Sequence, residues 1–328
     1  MSLQARRRQL PHALLLVGQK GLGKLELARQ FAASLLCEQP QASGLACGQC
    51  LACNWYAQGN HPDFRLLQPE ALGDEVEAEE GKKKPSQQIT IDQVRGLDDF
   101  LNVGTHRGGL RIVLVNPAEA MNRNTANAIL KTLEEPAPST LFLIVSSDPA
   151  RLLPTIRSRC QVMPVPLPGA QHAESVLVAE GISDARRWLA LAGGSPGLAL
   201  ELAASGQLAW LETLVKRLGG GREIDPLGVA ADLEKAIKES KGKLLLKQVL
   251  EALQKWLVDL TLARNGLPVR YFLPQSATIS GLADMIPAMR LNHFYRDLIS
   301  RRQEAEQPLN ARLFLEGVFL DYRGLFAN

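Results

Sequence analysis

A glycine-rich stretch between two apolar segments is the feature that most constrains how this chain folds. The run ALLLV at 13–17 predicts a buried strand, and GQKGLGK follows it directly at 18–24. Apolar residues then recur at helical spacing up to residue 36, which predicts a helix. Glycines between a strand and a helix let backbone N–H groups and the helix N-terminus bind an anion. The pattern therefore indicates an α/β domain built around a phosphate-binding loop.

Four residues of this loop are the candidates for nucleotide binding: Gly18, Gly21, Gly23 and Lys24. The pattern requires Ser or Thr after the lysine, because that hydroxyl holds Mg²⁺. This chain has Leu25 there, and a leucine side chain cannot bind a cation. Weak phosphate affinity and a loop retained only for its fold both remain open at this point.

A second Mg²⁺ ligand is expected from an acid at the end of a later strand. The run RIVLV at 111–115 is the best candidate strand, but Asn116 and Pro117 follow it instead of adjacent carboxylates. Glu119 lies two residues further on, and we expect it in a loop or on another face. Since the hydroxyl and the acids are missing together, the sequence predicts no intrinsic ATP hydrolysis. An active ATPase is the alternative.

The rest of the chain divides by the type of apolar pattern. Short β-like apolar runs also occur at 63–67, 141–145 and 162–165 and alternate with helical patterns, and the more continuous of these runs suit a parallel sheet buried on both faces. The proline-rich PVPLPG at 164–169 predicts a domain boundary, and only helices are expected beyond it. The predicted organisation is an α/β domain over 1–165, short helices over 166–206 and longer helices over 207–328.

Four of the five cysteines cluster in a short segment, 37–53. Two residues separate Cys47 from Cys50 and Cys50 from Cys53, and Cys37 can return as a fourth ligand. In a cytosolic chain this clustering indicates a metal, and four thiolates make a closed tetrahedral site of the structural zinc type. An iron–sulfur cluster is the rival, although its run continues with a Cys-Pro that this chain lacks. Free thiols are the third possibility.

The composition of the chain mainly excludes classes of protein. The chain has 328 residues and a net charge of +3, which is too small to indicate nucleic-acid binding by itself. It has no apolar run of membrane-spanning length and no secretory signal, so we expect a soluble cytoplasmic protein. The segment 70–88 is expected to be a solvated loop, Cys160 a small core residue and His61 a loop or packing residue. Basic residues at Arg6–Arg8 and Lys82–Lys84 leave a stand-alone zinc and nucleic-acid binding module as another alternative.

Two further motifs carry a family resemblance. LKTLEEP at 130–136 and RSRC at 157–160, taken with the phosphate loop and the cysteine module, resemble the bacterial clamp-loader subunits of DNA polymerase III. These subunits belong to the AAA+ superfamily. The resemblance implies a RecA-like AAA+ domain with a parallel sheet over 1–165, a small helical lid over 166–206 and an all-α collar over 207–328.

The resemblance also implies a place in an assembly. Its members form a hetero-pentamer of gamma/tau motor subunits, the delta subunit and a further subunit, which loads the sliding clamp onto primer–template DNA. The degenerate loop implies a non-hydrolysing part of the DNA polymerase III holoenzyme, with weak or no ATP binding. The sensor-2 arginine of active relatives aligns with Gly197 in GGSPGLAL, a further loss.

One arginine is implied to act on another subunit. In the family the SRC motif faces the neighbouring subunit's nucleotide, so the resemblance assigns Arg159 as an arginine finger acting in trans. The alternative is an Arg159 paired with a local carboxylate. Arg157 is expected to be the structural arginine of the two.

Overall fold

The fold is described from a computed structural model, which covers residues 10–73, 85–106, 109–204, 208–240, 242, 244–304 and 310–327. The chain divides into two compact units, Met1–Leu167 and Pro168–Asn328. The basic stretches at 6–8 and 82–84 lie outside the described residues, as does most of the expected loop at 70–88.

A parallel sheet forms the centre of the first unit. Its strands stand in the order β2-β3-β4-β1-β5, and every neighbouring pair is parallel. All five runs predicted from the sequence form strands, with bounds that shift by two residues at most. The strands are β1 (Ala13–Val17), β2 (Phe64–Leu67), β3 (Arg111–Val115), β4 (Thr140–Ser146) and β5 (Gln161–Pro164).

Helices lie against both faces of this sheet. Alternate side chains of β1 divide between two apolar clusters: Leu15 belongs to one, and Leu14 and Leu16 to the other. Both faces of the central strands β1, β3 and β4 are buried, which explains their largely apolar sequences, while the edge strands β2 and β5 keep exposed residues. The helices are α1 (Lys24–Leu36), α2 (Leu51–Ala57), α3 (Ile91–Asn102), α4 (Arg123–Glu134) and α5 (Pro154–Arg157).

The second unit is helical throughout its described residues. A small apolar cluster forms among the first three helices, and a larger one joins the remainder. The predicted boundary at 206 falls outside the described residues and stays a prediction. The helices are α6 (Ala170–Ala179), α7 (Ala185–Leu191), α8 (Pro196–Ala204), α9 (Ala209–Leu218), α10 (Pro226–Glu239), α11 (Leu246–Arg264), α12 (Ser276–Met285), α13 (Ala288–Glu304) and α14 (Ala311–Gly324).

These observations confirm the predicted fold class, a RecA-like parallel α/β domain followed by helices. None of the described helices combines the length and the apolarity needed to cross a bilayer.

One buried hydroxyl joins three helices of the second unit. The Tyr322 Oη atom accepts a hydrogen bond from Trp256 Nε1 at 3.0 Å and donates one to the Leu218 carbonyl at 2.9 Å. Trp256, Leu218 and Tyr322 are all fully buried, so no water can replace the hydroxyl.

We expect Tyr322→Phe to lower the free energy of unfolding by about 1–3 kcal/mol, because it leaves a buried donor and a buried acceptor unpaired. Chemical denaturation of the full chain measures this. Tyr295→Phe is the matched control: Tyr295 packs against the same cluster, and its hydroxyl has no hydrogen bond within the described residues. Equal losses in the two variants would contradict the role of the Tyr322 hydroxyl.

Candidate functional site

The predicted phosphate loop joins β1 to α1 in a conformation that requires its glycines. Gly21 and Gly23 have φ angles of 79° and 69°, in the left-handed region that other residues rarely adopt. A Cβ atom at Gly18 would lie 2.6 Å from the Val165 carbonyl oxygen. The loop therefore has the turn of a phosphate-binding loop, fixed by local backbone geometry.

The ammonium group of Lys24 is bonded to its own loop. Lys24 is 5% exposed, and its Nζ donates to the carbonyls of Gly18 at 2.9 Å and Gln19 at 2.6 Å. It also donates to Ser147 Oγ at 3.0 Å, just after β4. An ammonium group has three donors, and these contacts use all three. A phosphate group would therefore have to displace bonds that Lys24 already makes.

Leu25, in place of the magnesium-binding hydroxyl, is part of the protein interior. It is partly buried and packs against the apolar cluster that includes Leu14 and Ala28. Burial also lowers the pKa of Lys24, while the nearby carboxylates of Glu119 and Glu26 oppose that shift. The magnesium position of the loop is thus filled by a side chain that contributes to packing.

Glu119 lies in a turn, and its carboxylate faces the residues around Lys24. It lies in a 3₁₀ turn, Ala118–Ala120, directly after β3, and its Oε1 accepts a hydrogen bond from Ser147 N–H at 2.8 Å. Its charge acts on Lys24, and its Oε2 is buried without a hydrogen bond. The sequence analysis expected Glu119 in a loop or on another face, and the turn after β3 agrees with the first of these. A 3₁₀ turn advances only about 2 Å per residue, so the carboxylate stays beside the end of β4.

The cysteine cluster has the geometry of a tetrahedral metal site. The four Sγ atoms of Cys37, Cys47, Cys50 and Cys53 all lie within 4.8 Å of one another. The separations are 3.9 Å from Cys37 to Cys50 and 3.9 Å from Cys47 to Cys53. Four sulfurs around zinc, with Zn–S bonds of about 2.3 Å, would lie about 3.8 Å apart. The donor set therefore fits a structural zinc ion.

Backbone groups and two helix ends hold these thiols in place. Cys37 follows the last turn of α1, while Cys50 caps the N-terminus of α2. The N–H of Cys47 points at the Cys37 sulfur at 3.3 Å, and the N–H groups of Gln49 and Cys50 lower the pKa of the Cys47 thiol. Donors aimed at sulfur favour the thiolate, which is the form that binds a metal, while burial raises the pKa of the Cys37 and Cys53 thiols.

The SRC motif places Arg159 in a local ion pair. Its Nη2 lies 2.5 Å from Oε1 of Glu134, the last residue of α4, and its Nη1 donates to the Thr155 carbonyl at 2.8 Å. The Arg159 side chain is 33% exposed. Arg157, which the sequence analysis assigned the structural role, is exposed and makes no side-chain bond within the described residues. The locally bonded arginine is thus Arg159.

Comparison with known proteins gives the family. A family model described as "DNA polymerase III, delta subunit" matches residues 1–168. The DNA polymerase III subunit delta' of Pseudomonas aeruginosa is 41% identical over 283 residues, which is 85% of this chain and 78% of that protein. This chain belongs to the DNA polymerase III delta prime family. The Escherichia coli delta prime subunit is 36% identical over 63% of this chain and 59% of its own length.

Relatives outside the delta prime family are more distant. The tau/gamma subunit of Haemophilus influenzae is 26% identical over 95% of this chain, which covers 46% of that protein. A gamma subunit-related protein from Thermotoga maritima aligns over the whole chain with 19% identity and a TM-score of 0.47.

The remaining candidate residues have defined places in the structure. His61 is buried, accepts the Asp63 N–H at Nδ1 and lies outside the cysteine cluster. Cys160 is partly buried against the sheet, and burial raises its pKa to about 11. Gly197 lies in the first turn of α8. Glu134 lies within the motif LKTLEEP and Ser147 in none, and nothing in the sequence marks either residue as a partner of Arg159 or Lys24.

Proposed function

We propose that this chain serves as the delta prime subunit of a clamp loader, without ATP hydrolysis of its own. One observation carries the proposed lack of ATP hydrolysis. The ammonium group of Lys24 donates all three of its hydrogen bonds within the chain, to Gly18, Gln19 and Ser147. Leu25 and Asn116 stand where Mg²⁺ ligands are needed, so neither the phosphates nor the metal has its usual partners.

The partners proposed are those of the family. They are gamma/tau motor subunits and a delta subunit in a hetero-pentamer, with the sliding clamp and primer–template DNA bound through the assembly in the cytoplasm. Family membership supports this, as does the similarity to a tau/gamma subunit along nearly the whole chain. The helical second unit is the proposed site of pentamer assembly, through a collar over 207–328.

The assembly is tested by mixing the purified chain with the motor and delta subunits and separating the products by size-exclusion chromatography. A complex of fixed stoichiometry that contains this chain is the expected result. If the chain elutes alone at micromolar concentrations while motor and delta subunits associate, the proposed role is wrong.

Restoring the missing hydroxyl should not restore activity. We expect the Leu25→Thr variant to release phosphate from ATP no faster than the wild-type chain, at background rate. A hydroxyl supplies one magnesium ligand, but Asn116 and Pro117 still replace the adjacent acids, and the nearby Glu119 is engaged by the Ser147 N–H. A phosphate-release assay measures this, with Lys24→Ala as the control for contaminating ATPase. Turnover in either wild type or Leu25→Thr that Lys24→Ala removes would contradict the proposal.

We also propose that the four-cysteine cluster binds one structural Zn²⁺. Its sulfur separations suit zinc, and four thiolates leave no coordination position open for a substrate. When bound, the ion supplies cross-links among Cys37, Cys47, Cys50 and Cys53. No step of the loader's chemistry passes through it.

Arg159 is proposed to act on the nucleotide of the neighbouring motor subunit. A guanidinium group stays charged and binds phosphate oxygens in a planar fork, so it suits charge that develops on a transferred phosphate. The partial exposure of Arg159 supports this role, because a fully buried arginine could not reach another subunit. The chain would then have no active site of its own but would contribute Arg159 to the active site of the neighbouring motor subunit.

A further inference from the structure

The ion pair between Arg159 and Glu134 joins two motifs that are separate in the sequence. Glu134 ends α4 within LKTLEEP, whereas Arg159 follows α5 within RSRC. The pair is 2.5 Å long and half-exposed, with side-chain exposures of 33% for the arginine and 49% for the glutamate. A second bond, from Arg159 Nη1 to the Thr155 carbonyl, ties the other end of the guanidinium to α5.

These two bonds fix the direction of the guanidinium but leave most of its donors available. A guanidinium has five N–H donors, and the bonds to Glu134 and Thr155 use two of them. Without the carboxylate, an exposed arginine side chain would populate many rotamers and would lose that freedom on binding. The remaining donors can still engage an anion that approaches from outside the chain.

We propose that Glu134 is a positioning residue for Arg159, holding its guanidinium in the orientation that receives a phosphate group of the neighbouring subunit's nucleotide. This inference rests on the proposed action of Arg159 in trans. A pair that stored the arginine away from the nucleotide would have the opposite effect when broken. The sign of the effect of removing Glu134 therefore separates positioning from sequestration.

The first test uses the isolated chain. Phenylglyoxal modifies accessible arginines, and mass spectrometry reports the modified fraction of each one. We expect Glu134→Ala to increase the rate at which Arg159 is modified by about two- to fivefold, the range expected for a half-exposed ion pair. The rate at Arg157 should not change, since it makes no bond to Glu134. An unchanged rate of modification at Arg159 would overturn the inference, regardless of the ATP turnover of the reconstituted loader.

The second test uses the reconstituted loader. We expect Glu134→Ala to lower the clamp- and DNA-stimulated kcat for ATP by about two- to fivefold at the adjoining site, with KM and complex formation unchanged. Glu134→Gln keeps the length and an acceptor oxygen, so it should recover much of the loss. Glu135→Ala is the matched control, because Glu135 is the exposed neighbour without a bond to Arg159 among the described residues.

The outcomes separate this inference from the function on which it rests. If Arg159→Ala lowers turnover but Glu134→Ala does not, the positioning role is wrong and the trans role stands. A rise in turnover for Glu134→Ala would show that the pair sequesters Arg159, which also overturns the inference. If neither variant has an effect, the trans role itself is wrong. Equal losses in Glu134→Ala and Glu135→Ala would show a general charge effect instead.

Discussion

Removing the metal from the cysteine cluster is expected to unfold the segment 37–57 while the sheet stays intact. The Cys50→Ser variant lacks one of the four thiolates. It should purify with about a tenth of the wild-type zinc content or less, because a closed structural site needs all four protein ligands. In this variant, the backbone amide protons of residues 37–57 should exchange with solvent as in an unfolded chain.

The reason is that this segment has almost no core of its own. None of residues 38–51 is buried, and Leu45 and Leu51 are 54% and 49% exposed. Metal–thiolate bonds contribute about 10 kcal/mol or more in zinc-finger peptides, far more than any other contact available here. A segment with so little apolar burial needs such a cross-link to hold one conformation.

Elemental analysis and hydrogen exchange measured by mass spectrometry check this prediction together. Cys160→Ala is the control, because Cys160 is the one cysteine outside the cluster and should leave zinc content and exchange in 37–57 unchanged. Protein purified without chelators that contains no zinc, or a Cys50→Ser variant with wild-type exchange in the segment, would contradict the proposed structural metal.

Replacing Arg159 by alanine is expected to slow ATP hydrolysis at the one motor site that borders this chain. Arginines acting in trans contribute about 10³–10⁵ in rate in well-studied cases, so that site should become silent on the time scale of its neighbours. Folding and assembly should be unaffected, since the Arg159 side chain is partly exposed and Glu134 can return to water. The total loss is partial, because the other motor sites do not touch Arg159.

Single-turnover ATP hydrolysis by the reconstituted loader measures this effect. The amplitude of its fast phase should fall by the fraction that one motor site contributes. Arg159→Lys should not restore that phase, because an ammonium group lacks the planar fork. Arg157→Ala is the matched control: it removes a neighbouring arginine that is exposed and unbonded within the described residues. An Arg159→Ala loader with the wild-type amplitude and rate would show that the trans role is wrong.

The parts of the structure that the sequence predicted are those encoded by neighbouring residues. Apolar runs marked all five strands. The central strands β1, β3 and β4 are almost fully buried on both faces of the sheet, whereas the edge strands β2 and β5 also carry the exposed Arg65 and Gln161. The loop turn was readable from Gly21 and Gly23, since only glycine adopts its φ angles cheaply. The spacing of Cys47, Cys50 and Cys53 likewise predicted that these thiols lie close together.

The contacts that the sequence could not supply join residues far apart in the chain. Lys24 and Ser147 are 123 residues apart, and they meet only because β1 and β4 are neighbours in the sheet. Glu119 reaches the same place because a 3₁₀ turn follows β3, a detail that no apolar pattern encodes. The partner of Arg159 depends in the same way on how α4 and α5 pack.

ATP turnover in three samples tests the central claim most directly: the chain alone, the motor and delta subunits without it, and all of them together with clamp and primed DNA. We expect no turnover above background from the chain alone, and a rate in the complete mixture that exceeds the sum of the separate rates. This additional ATP turnover should reach a plateau when the added chain equals its stoichiometric amount in the complex. Turnover by the chain alone that Lys24→Ala abolishes, or a mixture that only equals the sum of its parts, would contradict the account.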